Sequence, residues 1–227
     1  MIKLNGAVMP LSLFTDGTFS LTCEPNIKAV LEWHFENNAE LTALIFLAKH
    51  LRQHGCKDMS LVMPYIPNAR KDRVSEADEV FTMKYFAEVI NWLQFDEVVV
   101  LDPHSDVAPA LLDRVRVIRP TEYIQNTIQD INSNNLIAFF PDEGACKRYS
   151  SQAKLPFVFA MKRRDKKTRE IIDLRIETDG IDVKGRDVLM IDDLLFHQEI
   201  VDRLDQCRRQ HAQQEVKAVE DGLQRRH

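Results

Sequence analysis

No apolar run in this 227-residue chain approaches the length of a membrane span, and the opening MIKLNGAVMPLSLF lacks a basic stretch followed by a sustained apolar one. The expectation is a cytoplasmic protein that engages no membrane. An excess of basic residues is also lacking. Lys and Arg number 30 against 35 Asp and Glu, for a formal charge of -5, which leaves no footprint for a nucleic acid. Phosphorylated small molecules stay open as ligands, because a local cationic cluster binds them whatever the net charge. Cysteine is sparse: Cys23, Cys56, Cys146 and Cys207 form no CxxC pair and fit no zinc spacing. A chain this long and this poor in cysteine reads as one from a reducing compartment. Low-complexity linkers are missing as well. What remains is 44% apolar and 29% charged, enough chain for one large domain or two small ones with a real core.

Hydrophobic patterning gives the organisation. Residues 1–34 carry short apolar runs broken at Asp16-Gly17 and Pro25-Asn26, which read as small strands and turns. Leu41, Leu44, Ile45, Ala48 and Leu51 recur at three- and four-residue steps and predict a helix from Glu40 to His54, ended by Gly55. Met59–Met63 predicts a buried strand. A second helix is expected from Thr82 to Leu93, with Tyr85, Phe86, Val89, Ile90 and Leu93 on its apolar side. Glu97–Leu101 predicts another strand. A helix over Glu122–Ile131 and strands at Leu136–Phe140, Phe157–Met161 and Asp187–Ile191 continue the alternation. Continuous apolar strands alternating with helices predict an α/β fold with mainly parallel sheets covered on both faces. Two α/β units flank Arg119-Pro120, which divides the chain into domains 1–120 and 121–227.

Chemistry concentrates at strand ends. Glu97–Leu101 runs into Asp102-Pro103-His104-Ser105-Asp106, Leu136–Phe140 into Pro141-Asp142-Glu143-Gly144, and Asp187–Ile191 into Asp192-Asp193. In open α/β sheets the ligand crevice lies at the carboxyl ends of the strands. Carboxylates with one imidazole suit Mg²⁺, which favours oxygen ligands. One strand ending in Asp is common, since Asp favours turns and helix caps. Three acidic ends in one chain are harder to dismiss. Cations follow strands too, at Arg70-Lys71-Asp72-Arg73 and at Lys162-Arg163-Arg164. A phosphoryl or diphosphoryl transfer needs positive groups where charge builds on the moving phosphate.

Taken together these segments resemble the ribose-phosphate diphosphokinase family. Val62–Arg73 is similar to its PYxxYARQDR block, Val99–Ser105 to VDLHS, and Phe140–Gly144 to SPDxGG. Lys162-Arg163-Arg164 matches the KRR of its catalytic flexible loop, Val188–Asp193 the strand that opens its ribose-phosphate site, and Phe14-Thr15-Asp16-Gly17 its FSDGE stretch. Order and spacing agree from about residue 10 to residue 193. The resemblance implies two related type I phosphoribosyltransferase-like domains, the second incomplete, assembled into a homo-oligomer. It implies that the anomeric hydroxyl of ribose 5-phosphate attacks the β-phosphorus of ATP, with Mg²⁺ as cofactor, giving phosphoribosyl diphosphate and AMP. It places Arg70, Asp72, Arg73 and His104 at the ATP site, with Phe14 and Asp16 reaching the adenine bound to a neighbouring subunit. His104 and Asp142 would hold the metal, Lys162 and Arg164 would close over the transferred diphosphate, and Asp192 and Asp193 would bind the ribose hydroxyls.

The chain also departs from the family. Lys71 stands where the family usually has Gln, Thr18 where it has Glu, and Ala145 where it has Gly. After Asp193 the family continues with a Gly-Thr loop whose amides cradle the 5-phosphate. Here Leu194-Leu195-Phe196-His197 follows, and no Gly occurs between Gly185 and Gly222. The second domain therefore reads as altered or truncated after about residue 193, and a non-catalytic relative that keeps the fold and ATP binding is the alternative. A phosphoribosyltransferase that consumes the product is the weakest reading, because the ARKDR and KRR segments have no place in one.

Overall fold

The computed structural model describes residues 1–164 and 171–193. Contacts gather into two units, Met1–Pro120 and the chain from Thr121 onward.

In the first unit, β1 (Ile2–Leu4), β2 (Ala7–Val8), β3 (Ser12–Leu13), β4 (Phe19–Ser20) and β5 (Lys28–Trp33) precede helix α1 (Ala39–Gln53). Then come β6 (Asp58–Met63), α2 (Thr82–Trp92), β7 (Glu97–Leu101), the short α3 (Val107–Leu111) and β8 (Val115–Ile118). The sheet order is β2-β1-β5-β6-β7-β8, parallel from β5 through β8 and antiparallel where β1 joins, while β3 and β4 form a separate hairpin.

Helix α1 forms for the reason its spacing gives. Ala43, Leu44, Leu47, Ala48 and Leu51 are all buried on one side. It stops because Gly55 takes φ +89°, so its N–H reaches Arg52 O while Cys56 N–H reaches Leu51 O. These two bonds close a Schellman cap that a Cβ at Gly55 would strain. Buried Glu40 accepts from Trp33 Nε1 and Glu36 N, both at 2.9 Å, and pairs with the Met1 amino group. In α2 the buried side is Met83, Phe86, Ala87 and Ile90; Tyr85, expected there, is 52% exposed. Met83 and Ala87 fill the strip instead, turning it away from Tyr85.

The second unit holds α4 (Thr121–Ile131), β9 (Leu136–Phe140), α5 (Glu143–Ala153), β10 (Phe157–Arg164), β11 (Ile171–Glu177) and β12 (Asp187–Met190). Its sheet runs β11-β10-β9-β12, with β9 parallel to both β10 and β12, and β10 antiparallel to β11. Strand β9 is buried at every residue because both faces are covered. Ala138 and Phe140 pack with Ile124, Ala145 and Tyr149, while Ile137 and Phe139 pack with Val158, Ala160 and Val183. Alternate side chains of a strand face opposite ways, so an uninterrupted apolar run is what this position demands. The α/β expectation with mainly parallel sheets holds.

Candidate functional site

In the first unit, β6 and β7 are parallel neighbours, with Met63 in register with Val100. The loops that leave them therefore start side by side. The loop after β6 turns at Asn68, φ +66°, and Lys71 N–H closes on Asn68 O at 2.9 Å. Ile66 and Ala69 are buried and anchor it. Arg70 and Arg73 are exposed, and Arg73 Nε lies 3.2 Å from Asp72 Oδ1. Lys71 does not point away unpaired. Its ammonium is 2.7 Å from Glu79 Oε2, which also accepts from Ser75 N–H at 2.8 Å. Lys71, with the Ser75 amide, holds the Glu79 carboxyl far below its usual range, at about 2. The loop after β7 turns at Asp102, φ +45°, and leads to half-buried His104. Asp and Asn tolerate this left-handed backbone better than most residues.

At the β3–β4 turn Gly17 takes φ +83°, and Asp16 Oδ1 accepts from the Thr18 N–H at 2.9 Å and the Thr18 hydroxyl at 2.7 Å. The hydroxyl bond, then the amide bond, lowers the Asp16 carboxyl below its ordinary range. Thr18 thus braces the acid at the position where the family carries Glu. Phe14 is 59% exposed on this hairpin.

In the second unit, the carboxyl ends of β9, β10 and β12 come together. Asp142, two residues past β9, caps α5 by accepting from Ala145 N–H at 2.8 Å. Its other oxygen lies 3.8 Å from Lys162 Nζ, and the Lys162 side chain is only 9% exposed. Past β12, the Asp193 N–H donates to Asp192 Oδ1 at 3.0 Å. Arg148 of α5 reaches both acids, with Nη2 at 2.9 Å from Asp193 and 3.5 Å from Asp192. Burial first, and then the Asp193 carboxyl, pushes Asp192 up to about 7.

Two sequence expectations change here. Lys162-Arg163-Arg164, expected in a flexible loop, are the last residues of β10, where Lys162 opposes Leu174 and Arg163 opposes Asp173, with a bulge before Arg164. Antiparallel pairing with β11, which the pattern did not show, extends the strand through them. Arg148 was missed altogether. The sequence signal for its helix is faint: Ala145, Tyr149 and Ala153 stand at four-residue steps behind Asp142, and only Tyr149 brings apolar bulk. As for the metal, no group of three or more His, Cys, Asp or Glu converges among the described residues. Mg²⁺ bound with substrate phosphates needs only one or two protein carboxylates, and Asp142, 46% exposed beside Lys162, suits that role. No helix among the described residues is long and apolar enough to cross a membrane.

Two α/β units with mainly parallel sheets, each carrying acids and cations where strands end, make a type I phosphoribosyltransferase-like fold. The solved phosphoribosylpyrophosphate synthetase of Mycobacterium smegmatis shares it, with a TM-score of 0.72 over 90% of this chain and 68% of that one, at 18% identity. No protein-family model matches the chain. The ribose-phosphate pyrophosphokinase of Saccharolobus solfataricus is 26% identical over 193 residues, covering 81% of this chain and 65% of that protein. That of Pyrococcus abyssi is 29% identical over 170 residues, covering 72% of this chain and 56% of that protein. The chain spans less than two thirds of the length of both. It is a divergent relative of the ribose-phosphate pyrophosphokinases.

Proposed function

We propose that the chain transfers the diphosphate of Mg-ATP to the anomeric hydroxyl of ribose 5-phosphate, giving phosphoribosyl diphosphate and AMP. The observation that carries the reading is the gathering of Asp142, Lys162, Asp192 and Asp193 at the ends of the mutually parallel strands β9, β10 and β12, with Arg148 of α5 reaching the last two. In this reading Arg70, Asp72, Arg73 and His104 bind ATP. Phe14 and Asp16 serve the adenine bound to a neighbouring subunit of a homo-oligomer, which suits an exposed ring on a hairpin tip. Asp192 and Asp193 accept the ribose hydroxyls and orient the anomeric oxygen. That oxygen, its proton passing to water, forms a bond to the β-phosphorus while the bond from that phosphorus to the α,β-bridging oxygen breaks and AMP leaves with that oxygen. Lys162 and Arg164 neutralise charge that builds on the moving diphosphate. Asp142 would hold Mg²⁺, which would supply charge neutralisation of the ATP phosphates. The setting is cytoplasmic.

The test is incubation with ATP, Mg²⁺ and ribose 5-phosphate, following AMP and phosphoribosyl diphosphate in equal amounts. AMP release without the sugar product would overturn the reading. The run Leu194-Leu195-Phe196 in place of a Gly-Thr loop favours a second reading, a non-catalytic relative that keeps ATP binding. Under that reading Mg-ATP raises the melting temperature while no product forms.

A further inference from the structure

We propose that Arg148 is a positioning residue that holds the Asp192–Asp193 pair in the geometry used to grip the sugar; the inference rests on the diphosphokinase reading. The side chains of Asp192 and Asp193 are only 14% and 10% exposed. Two adjacent carboxylates so far out of water repel each other and each lacks solvation. Arg148, itself 19% exposed, brings one guanidinium nitrogen between the acids: Nη2 donates to Asp193 at 2.9 Å and stands 3.5 Å from Asp192, so one fixed positive group faces both.

Its own placement is fixed from behind. Asp142 caps the first turn of α5, and Ala145, Tyr149 and Ala153 bury the helix against β9. The Arg148 guanidinium lies 5.1 Å from the Tyr149 ring centre, and the Arg148 carbonyl accepts from Gln152 Nε2 at 2.6 Å. Helix α5 therefore links the Asp142 end of β9 to the acid pair beyond β12. Without the guanidinium the proton that Asp192 holds up to about 7 stays on to higher pH, and over that range one acid of the pair is a donor where both would otherwise accept. A ribose diol, which donates two hydroxyl protons, then loses half of its grip.

The full-length chain, Arg148→Met and Arg148→Lys are compared by calorimetric titration with ribose 5-phosphate and, separately, with Mg-ATP. Carboxyl ¹³C NMR of labelled aspartate follows the Asp192 and Asp193 titrations. Arg148→Met should weaken ribose 5-phosphate binding about tenfold to hundredfold and leave Mg-ATP affinity within about threefold. The midpoint for the acid pair should rise by about one pH unit or more. Arg148→Lys, which keeps the charge without the placed Nη2 nitrogen, should recover part of both. Unchanged carboxyl titrations, or equal weakening of sugar and ATP, would overturn the proposal. If the wild type ignores ribose 5-phosphate while the acid midpoints still rise in Arg148→Met, Arg148 does position the pair and the diphosphokinase reading is what fails. Should the methionine variant not fold, the lysine variant decides: wild-type sugar affinity and wild-type titrations there would show that a bare charge suffices and would overturn the positioning role of the guanidinium.

Discussion

Lys162 Nζ stands 3.8 Å from Asp142 Oδ2, between two parallel neighbours: Lys162 rides on β10 and Asp142 follows β9. An ammonium this buried is costly alone, and the carboxylate offsets that cost. The arrangement parks a cation beside the site's proposed metal ligand, poised for charge that appears only during transfer. Lys162→Ala should therefore lower turnover by about a hundredfold to a thousandfold while ATP affinity changes by less than about threefold. Equal losses in rate and affinity, measured by steady-state kinetics and nucleotide titration, would remove Lys162 from the chemistry.

Lys71 and Glu79 make a second pairing with a consequence. Where the family has a neutral Gln, this chain has a Lys neutralised by its own acid at 2.7 Å. Glu79→Gln should release a positive charge beside the proposed ATP site and tighten Mg-ATP binding about threefold to tenfold at low salt, an effect that fades as salt rises. Because the pair sits near the surface, the melting temperature should move by no more than about 2 °C. A salt-independent change in affinity would mean that the loop has rearranged instead.

The sequence revealed the interior better than the edges. Leu136–Phe140 and Glu97–Leu101 were legible to the residue, because strands flanked by partners on both sides must be apolar throughout. Helix α1 was legible within a residue at each end, since large aliphatics mark its buried side and Gly55 its stop. Strand β11 was not, because it pairs only along β10 at the sheet edge and leaves Ile172 and Arg175 exposed. Helix α5 buries two alanines and a tyrosine, too little apolar bulk to show a period, and so Arg148 stayed hidden on it. Acids at strand ends were visible from strand boundaries alone. Which cation faces which acid depends on neighbours far apart in the chain, as Arg148 and Asp193 are.

Asp192 carries a pH signature of definite sign. Burial and Asp193 push its carboxyl from an ordinary 3.8 up to about 7. Between those values the folded chain holds a proton that the unfolded chain has released. Stability should therefore fall as pH rises through this window, with the loss complete above the folded value. Asp192→Asn removes the titrating group. Its melting temperature at about pH 8 should exceed that of the wild type by about 2–4 °C or more, and the gap should close toward about pH 4. Thermal melts across the range check this, and a gap that widens toward acid would reverse the assigned direction.

The last expectation concerns the sugar phosphate. Asp192 and Asp193 offer acceptors to hydroxyls, but they repel a phosphate, so its anchor must come from elsewhere. In the family a Gly-Thr loop after these acids supplies backbone amides; here the sequence continues Leu194-Leu195-Phe196, which lies outside the described residues. Leucine and phenylalanine bring no cation, and they do not readily take the dihedrals that let a backbone wrap a phosphate. Each charge-assisted hydrogen bond to the phosphate is worth about 1.5–3 kcal/mol, so losing two costs about a hundredfold or more in the use of ribose 5-phosphate. The chain should accordingly show a high Michaelis constant for ribose 5-phosphate and discriminate weakly between it and ribose. Replacing Leu194-Leu195-Phe196 with a Gly-Thr loop should restore both affinity and discrimination. Arg208 and Arg209 are the other cations the sequence offers for the phosphate. If the unaltered chain already prefers ribose 5-phosphate over ribose by a hundredfold, and Arg208→Ala with Arg209→Ala abolishes that preference, the anchor is theirs and the loop is dispensable.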